Sequence, residues 1–199
     1  ALILRYICDS FIEANPTIRD LFHKNISIDG CFVKVQISCA CVYHCSMSSA
    51  HSISLTNSLS SQLTIHDFSG CEEFLPMLQE CIREDGPHGL LLLYAVSDEG
   101  SLTYLRKWIQ RIDQEVKSIV KCILVGTQCD VADSERQVTT AQGQKFADEF
   151  GMQFFEASAK LDINVDAAFF SITQDIIRQF GGAEQLKAEI AEKIQLKQK

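Results

Sequence analysis

The sequence predicts an α/β fold of three layers, a mostly parallel sheet with helices on both faces. Three observations predict it. Apolar runs at Leu63–Asp67, Gly89–Val96, Lys121–Gly126 and Met152–Glu156 have the length and continuity of strands. Between them, apolar residues recur at three- and four-residue spacing, the period of an amphipathic helix. The two kinds of segment alternate along the chain, which is the order that builds a parallel sheet through crossover helices.

Each element has its own reason. Leu63-Thr64-Ile65-His66-Asp67 is apolar at alternate positions, as a half-buried strand is. Gly89–Val96 (GLLLLYAV) and Lys121–Gly126 (KCILVG) are nearly continuous apolar runs, the form of parallel strands covered on both faces. Ser101–Val116 carries Leu102, Leu105, Trp108, Ile109 and Ile112 on one helical stripe. Thr140–Phe150 behaves in the same way, as does Val165–Phe180 with Ala168, Phe169, Ile172, Ile176 and Phe180. Gly181-Gly182 ends the pattern. The remaining stretch, 182–199, holds a separate amphipathic helix from Ala183, striped by Leu186, Ile190 and Ile194. Its late lysines suit the negative end of a helix, so it reads as a solvated extension or as a partner-binding helix.

Composition narrows the function. A chain of 199 residues, 46% hydrophobic, suits one domain with a core of its own, or one domain with a tail. Eighteen basic against 26 acidic side chains give a formal charge of -8, which argues against a sequence-independent nucleic-acid binder. No apolar run approaches the roughly 18 residues of a membrane span, and no signal peptide opens the chain. Nine cysteines without secretory features point to reduced thiols in a cytosolic setting.

One stretch is foreign to the rest. Val35–Gln62 has no Asp, Glu, Lys or Arg and holds nine serines. It shows no helical stripe and reads as a loop or disorder. Removing it joins Cys31–Lys34 to Leu63–Asp67 as one alternating strand. Its first codon can begin GT and its last can end CAG, so the segment is expected to be an untranslated intron retained in frame. The rival reading takes Cys39, Cys41, His44, Cys45 and His51 as thiolate and imidazole ligands for Zn²⁺. The C-x₂₋₄-C spacing joined to a distant second pair, which such a site requires, is absent.

Three short motifs carry chemistry. His66-Asp67-Phe68-Ser69-Gly70 follows a strand. An Asp there can orient a water on Mg²⁺, and the Gly backbone can approach a phosphate. Val125–Asp130 and Glu156–Lys160 each follow a further strand. The Asp130 carboxylate can accept the ring N–H and the exocyclic amine of guanine, a bidentate match that adenine does not offer. Backbone N–H groups of Ser158-Ala159-Lys160 can face the guanine carbonyl while the Lys160 stem covers the base.

These motifs bring the chain to a family. It resembles the small GTPases of the Ras superfamily, most closely the Rab branch. Leu2–Phe11, Pro16-Thr17-Ile18, Ile28-Asp29-Gly30, Leu63–Gly70, Gly86–Asp98, Trp108, Phe146–Phe150 and Glu156–Lys160 fall in family order over Ala1–Lys34 and Leu63–Gly181. The resemblance implies a P-loop NTPase fold for residues 1–181, interrupted at 35–62. It implies GTP and GDP as ligands with Mg²⁺ as cofactor. Thr17 would ligate the metal and sense the γ-phosphate, and Asp67 and Gly70 would make the second metal and phosphate contact, the metal through water. Thr127, Gln128, Asp130, Ser158, Ala159 and Lys160 would surround the base. Effectors and regulators would bind the switch segments, Glu72-Glu73 among them, in vesicle transport at the cytosolic face of endomembranes.

Departures from the family pattern shape the expectation. The phosphate cradle GxxxxGK[ST] and the central strand before it should precede Ala1. The chain is therefore expected to be an amino-terminal truncation with a gap in the middle of its sheet. The family's water-positioning Gln is Cys71, and a thiol cannot hold that water as an amide does, so hydrolysis should be slow. Arg19 replaces a Gly after the switch Thr. Thr127-Gln128 replace Asn-Lys, removing an amide that braces the pocket and a stem that covers the base. The last cysteine is Cys129, so no carboxyl-terminal prenyl site is evident. The runner-up function is a pseudo-GTPase scaffold without turnover, and a third reading is that the translation makes no stable product.

Overall fold

A computed structural model describes residues 1–9, 11, 19–24, 27–28, 31–32, 36–41, 50–51, 63–69, 80, 88–111, 120–182 and 185. In chain order its elements are α1 (Leu2–Cys8), β1 (Arg19–Lys24), β2 (Ser27–Ile28), β3 (Cys31–Phe32), β4 (Gln36–Cys41), β5 (Ala50–His51), β6 (Leu63–Ser69), β7 (Gly89–Ala95), α2 (Glu99–Arg111), β8 (Lys121–Thr127), α3 (Thr140–Phe150), β9 (Gln153–Ala157) and α4 (Val165–Gln179).

Alternation along the apolar runs decides the layers. Every residue of β7 is buried. Its Leu91 and Leu93 join Ile123, Val125, Phe169, Ile172 and Ile176 in a core under α1 and α4. Leu90, Leu92 and Tyr94 face the other way, into a core with Leu105, Trp108, Leu124 and Phe146 under α2 and α3. A strand covered on both faces has no place for a charge, which is why β7 and the end of β8 read as unbroken apolar runs. Gly89 has a steric reason: a Cβ there would fall 2.8 Å from the Cδ1 atoms of Ile172 and Ile176.

The helix ends follow local chemistry. Thr139 caps α3 by accepting from the Gln142 N–H, and the Gln142 side chain reaches back to the Thr139 N–H, a reciprocal pair. Gly151 ends α3 in the left-handed region at φ 66°. In α4, buried Val165, Ala168, Phe169, Ile172, Thr173, Ile176 and Ile177 recur at helical spacing. The α2 helix starts two residues before the expected Ser101, and 112–119 lie outside the described residues. So does the expected tail helix, except Gln185.

The sheet runs β1-β6-β5-β4-β7-β8-β9. The strands β6, β4, β7, β8 and β9 pair in parallel, and β1 closes one side antiparallel to β6. β2 pairs antiparallel with β3, Ile28 opposite Cys31, and the Asp29-Gly30 hairpin position lies outside the described residues.

The loop expected over 35–62 is corrected at 36–41 and 50–51, while 35, 42–49 and 52–62 lie outside the described residues. Gln36–Cys41 is a strand, paired in parallel with β6 through Ile37 and Ile65 and with β7 through Ser38 and Leu90. Ala50–His51 is a short strand antiparallel to both β4 and β6. The gap expected at the centre of the sheet is therefore filled from within the same chain. The physical reason lies in the feature that made the stretch look foreign: a segment free of charge suits a strand that lies between two others. Of the rival zinc ligands, Cys39 and Cys41 fall in β4 and His51 in β5, while His44 and Cys45 lie outside the described residues.

A proline tests this strand. In a central position it removes a ladder hydrogen bond and leaves a backbone carbonyl without its donor. Ser38→Pro is expected to lower unfolding free energy by at least about 2 kcal/mol, read as a shift in urea midpoint. A change within about 0.5 kcal/mol, as for an exposed loop, would remove β4 from the sheet.

Candidate nucleotide site

The site is built where parallel strands end together. Pairing of Thr127 with Ala157 sets the ends of β8 and β9 side by side, so the chain beyond each enters one region at the carboxyl edge of the sheet. Gln128 turns the chain with a left-handed backbone, φ 63°. Its carbonyl accepts from the Val131 N–H at 3.1 Å, closing a turn around Cys129 and Asp130. The Cys129 N–H donates to the Ala157 carbonyl at 3.2 Å, tying this turn to the start of the next loop.

That loop is closed on itself. Ser158 is buried and exchanges two backbone bonds with Ile163, each 3.0 Å, and its Oγ accepts from the Leu161 N–H at 3.0 Å. Among the described residues the N–H groups of Ala159 and Lys160 carry no hydrogen bond. Two donors are thus presented beside a half-buried Asp130. Such a set can recognise a flat ring that carries a carbonyl next to N–H donors.

The two departures at 127 and 128 have visible consequences. Thr127 is buried, and its hydroxyl donates to the Tyr94 carbonyl at 2.9 Å, inside the sheet. Gln128 is exposed, and its Oε1 accepts from the Ser97 hydroxyl at 2.9 Å. The Cys129 thiol is pushed up, first by burial and then by the negative charges of Glu156 and Asp130.

Beneath the site lies an ion pair that the motifs do not announce. Arg136 donates to both carboxylate oxygens of Glu156, at 2.7 and 3.1 Å, and to the Val138 carbonyl at 3.1 Å. Thr140 donates to Glu156 Oε2 at 3.1 Å, and the Asn164 amide donates to the Glu156 carbonyl at 2.8 Å. Arg5 of α1 reaches the loop from the other side, with Nε 2.7 Å from the Ala159 carbonyl. Nothing periodic marks either arginine. A bidentate partner for the Glu156 that precedes Ser158 is the one signal that a search for basic residues in the preceding loop could have used.

The structure thus brings Thr127, Gln128, Asp130, Ser158, Ala159 and Lys160 into one region. Asp67 lies near the end of β6, at the same edge but with β4 and β7 between it and β8. Its backbone is in register with Cys39 of β4 and His51 of β5. Thr17, Gly70 and Cys71 lie outside the described residues.

Residues 46–178 match the Ras family model, two-thirds of the chain. The chain belongs to the Ras family. Its Rab-like character follows from the relatives. It is 42% identical over 123 residues to the Ras-related protein RAB1BV of Beta vulgaris, covering 62% of this chain and 56% of that protein. It is 36% identical over 183 residues to the GTP-binding protein yptV2 of Volvox carteri, covering 91% of this chain and 70% of that protein. It is 42% identical over 123 residues to the GTP-binding protein ypt2 of Schizosaccharomyces pombe, covering 62% and 60%. The chain therefore spans a little over half of the first and third of these proteins. The Ras family match begins inside the charge-free stretch.

The ion pair gives a measurable prediction. The Arg136 and Glu156 side chains are 18% and 16% exposed, so removing one charge leaves the other poorly solvated. Glu156→Gln is expected to cost about 2–3 kcal/mol in urea unfolding, with much of it recovered when Arg136→Met is added. Equal losses that simply add would show the two groups to be independent.

Proposed function

We propose that the protein is a Rab-like switch that binds GTP and GDP and hydrolyses GTP slowly, acting in intracellular vesicle transport. The observation that carries this reading is the adjacency of the Asp130 turn to a loop with two unengaged N–H donors. Guanine presents a carbonyl, a ring N–H and an exocyclic amine along one edge, complementary to those donors and to a carboxylate. The names of the relatives, Ras-related and GTP-binding, support the same ligand.

Thr17 and Asp67 are the proposed holders of Mg²⁺, with Asp67 acting through a water and Gly70 approaching the γ-phosphate. An aspartate near the carboxyl end of β6 fits a hard cation that takes oxygen ligands. When bound with nucleotide, Mg²⁺ neutralises phosphate charge. The chain's own part is to bind, orient and exclude. Asp130 selects the base, Ala159 and Lys160 donate to it, and Gln128 and the Lys160 stem flank it. Cys71 stands where an amide would orient the attacking water, which makes turnover slow. Effector and regulator proteins would read the segments around Thr17 and Asp67–Glu73. Cytoplasmic action at the cytosolic face of endomembranes is part of the proposal. Among the described residues no helix is long and apolar enough to cross a membrane.

Base recognition is tested by changing the partner of the ring. An Asn amide offers one acceptor and one donor, which suits xanthine in place of guanine. In the purified full-length protein, Asp130→Asn is expected to weaken binding of a fluorescent GDP by about 100-fold or more, from the loss of charge-assisted bonds. It should also bring a gain for the xanthine nucleotide. Unchanged GDP affinity would remove Asp130 from the site.

Hydrolysis is tested separately. Cys71→Gln is expected to raise the single-turnover rate of phosphate release by about tenfold or more, on the scale of other catalytic positioning groups. An unchanged rate would show that the thiol is not what limits turnover.

A further inference from the structure

We infer that Arg5 is a positioning residue for base recognition: from α1 it holds the Ala159 and Lys160 carbonyls so that the Lys160 N–H faces the purine carbonyl. The inference rests on the guanine-nucleotide reading above and adds a residue to it.

The geometry begins with the anchoring of α1. Tyr6 stacks on Phe169 of α4, with ring centroids 4.0 Å apart and planes 7° from parallel, and Leu2 and Ile3 are buried in the same core. Arg5 therefore starts from a fixed platform. Its guanidinium spans two carbonyls that lie far along the chain, with Nε 2.7 Å from the Ala159 oxygen and one terminal nitrogen 3.3 Å from the Lys160 oxygen. The other terminal nitrogen meets the Asp9 carbonyl at 3.2 Å and the Asp9 carboxylate at 3.4 Å. The donors of a guanidinium are fixed in one plane, so two neighbouring carbonyls held by it have little freedom to rotate.

Peptide planarity passes that constraint to the N–H groups. In a trans peptide the carbonyl and the following N–H point in opposite directions. The Ser158 carbonyl accepts from Ile163, which turns the Ala159 N–H the other way. The Ala159 carbonyl accepts from Arg5, which turns the Lys160 N–H away from α1. The Lys160 carbonyl accepts from Arg5, which turns the Leu161 N–H away as well, toward the Ser158 hydroxyl that receives it. One arginine thus aims the Lys160 donor and leaves the Ser158–Ile163 bridge to aim the donor of Ala159. The positive charge behind these carbonyls also polarises the peptides and strengthens their donors on the opposite side.

A ligand that lacks the purine carbonyl separates positioning from bulk stability. The experiment measures dissociation constants of the full-length protein and of Arg5→Met for GDP and for 2-aminopurine riboside diphosphate, which has hydrogen in place of the carbonyl oxygen and no ring N–H, so that only its exocyclic amine can donate to Asp130; the variant is compared with the unaltered protein for each nucleotide separately. The expected result is a loss of GDP affinity of about tenfold in the variant, the scale of one directed hydrogen bond. Affinity for the 2-aminopurine nucleotide should stay within about twofold, since that ligand has no carbonyl to receive the donors. Arg5→Lys, with one donor group in place of a fork, should recover only part of the GDP affinity. Equal losses for both nucleotides, or no loss for either, would overturn the positioning role. Should Arg5→Met lower the urea midpoint, Arg5→Gln serves in the same comparison. Failure of the unaltered protein to bind GDP would instead remove the nucleotide reading itself, and the inference with it.

Discussion

Burial of a strand on both faces is the constraint on which the rest of this structure depends. A parallel strand with helices above and below has no side exposed to water, so a charge anywhere along it would have to be desolvated. β7 obeys this along its whole length and β8 over its last five residues. Leu91 and Leu93 pack against one pair of helices while Leu90, Leu92 and Tyr94 pack against the other. The same constraint pushes polar chemistry to the strand ends. It explains why Thr127, Gln128 and Asp130, with Ser158, Ala159 and Lys160, gather at one edge.

At that edge the loops are held by groups from outside the motifs. Arg136 and Glu156 form a bidentate pair below the loop that begins at Ser158, and Arg5 braces the loop from α1. Among the described residues the backbone donors of Ala159 and Lys160 are unengaged while their carbonyls accept from Arg5. A loop whose carbonyls are already bonded has less freedom to lose when a ligand arrives, which is the physical content of preorganisation. Thr127 contributes differently. Its hydroxyl is used within the sheet, donating to the Tyr94 carbonyl, while the Ser158–Ile163 bridge closes the neighbouring loop.

Much of this was legible in the sequence, and the reasons are particular. The strands at Leu63, Gly89 and Lys121 declare themselves because burial on one or two faces writes directly into local hydrophobicity. The helix over Thr140–Phe150 agrees with its expected bounds because a capping pair at one end and a glycine at the other mark it locally. The shared position of Asp130 and Ser158–Lys160 at one sheet edge was legible because each follows a strand. β4 was not. Absence of charge in Gln36–Cys41 is compatible with a loop and with a covered strand, and only pairing with β6 and β7, far along the chain, decides between them. Arg5 and Arg136 escaped for a related reason: their partners are set by the folded topology, with no periodic spacing to reveal them.

The place of β4 has one more consequence. Among the described strands, its backbone ladder joins two sub-sheets, β1 with β6 on one side and β7, β8 and β9 on the other. Asp67 belongs to the first and the loops that follow β8 and β9 to the second. Any mechanical communication through the sheet between these two halves must cross six residues, Gln36-Ile37-Ser38-Cys39-Ala40-Cys41. Softening of that seam would let the two move as separate plates.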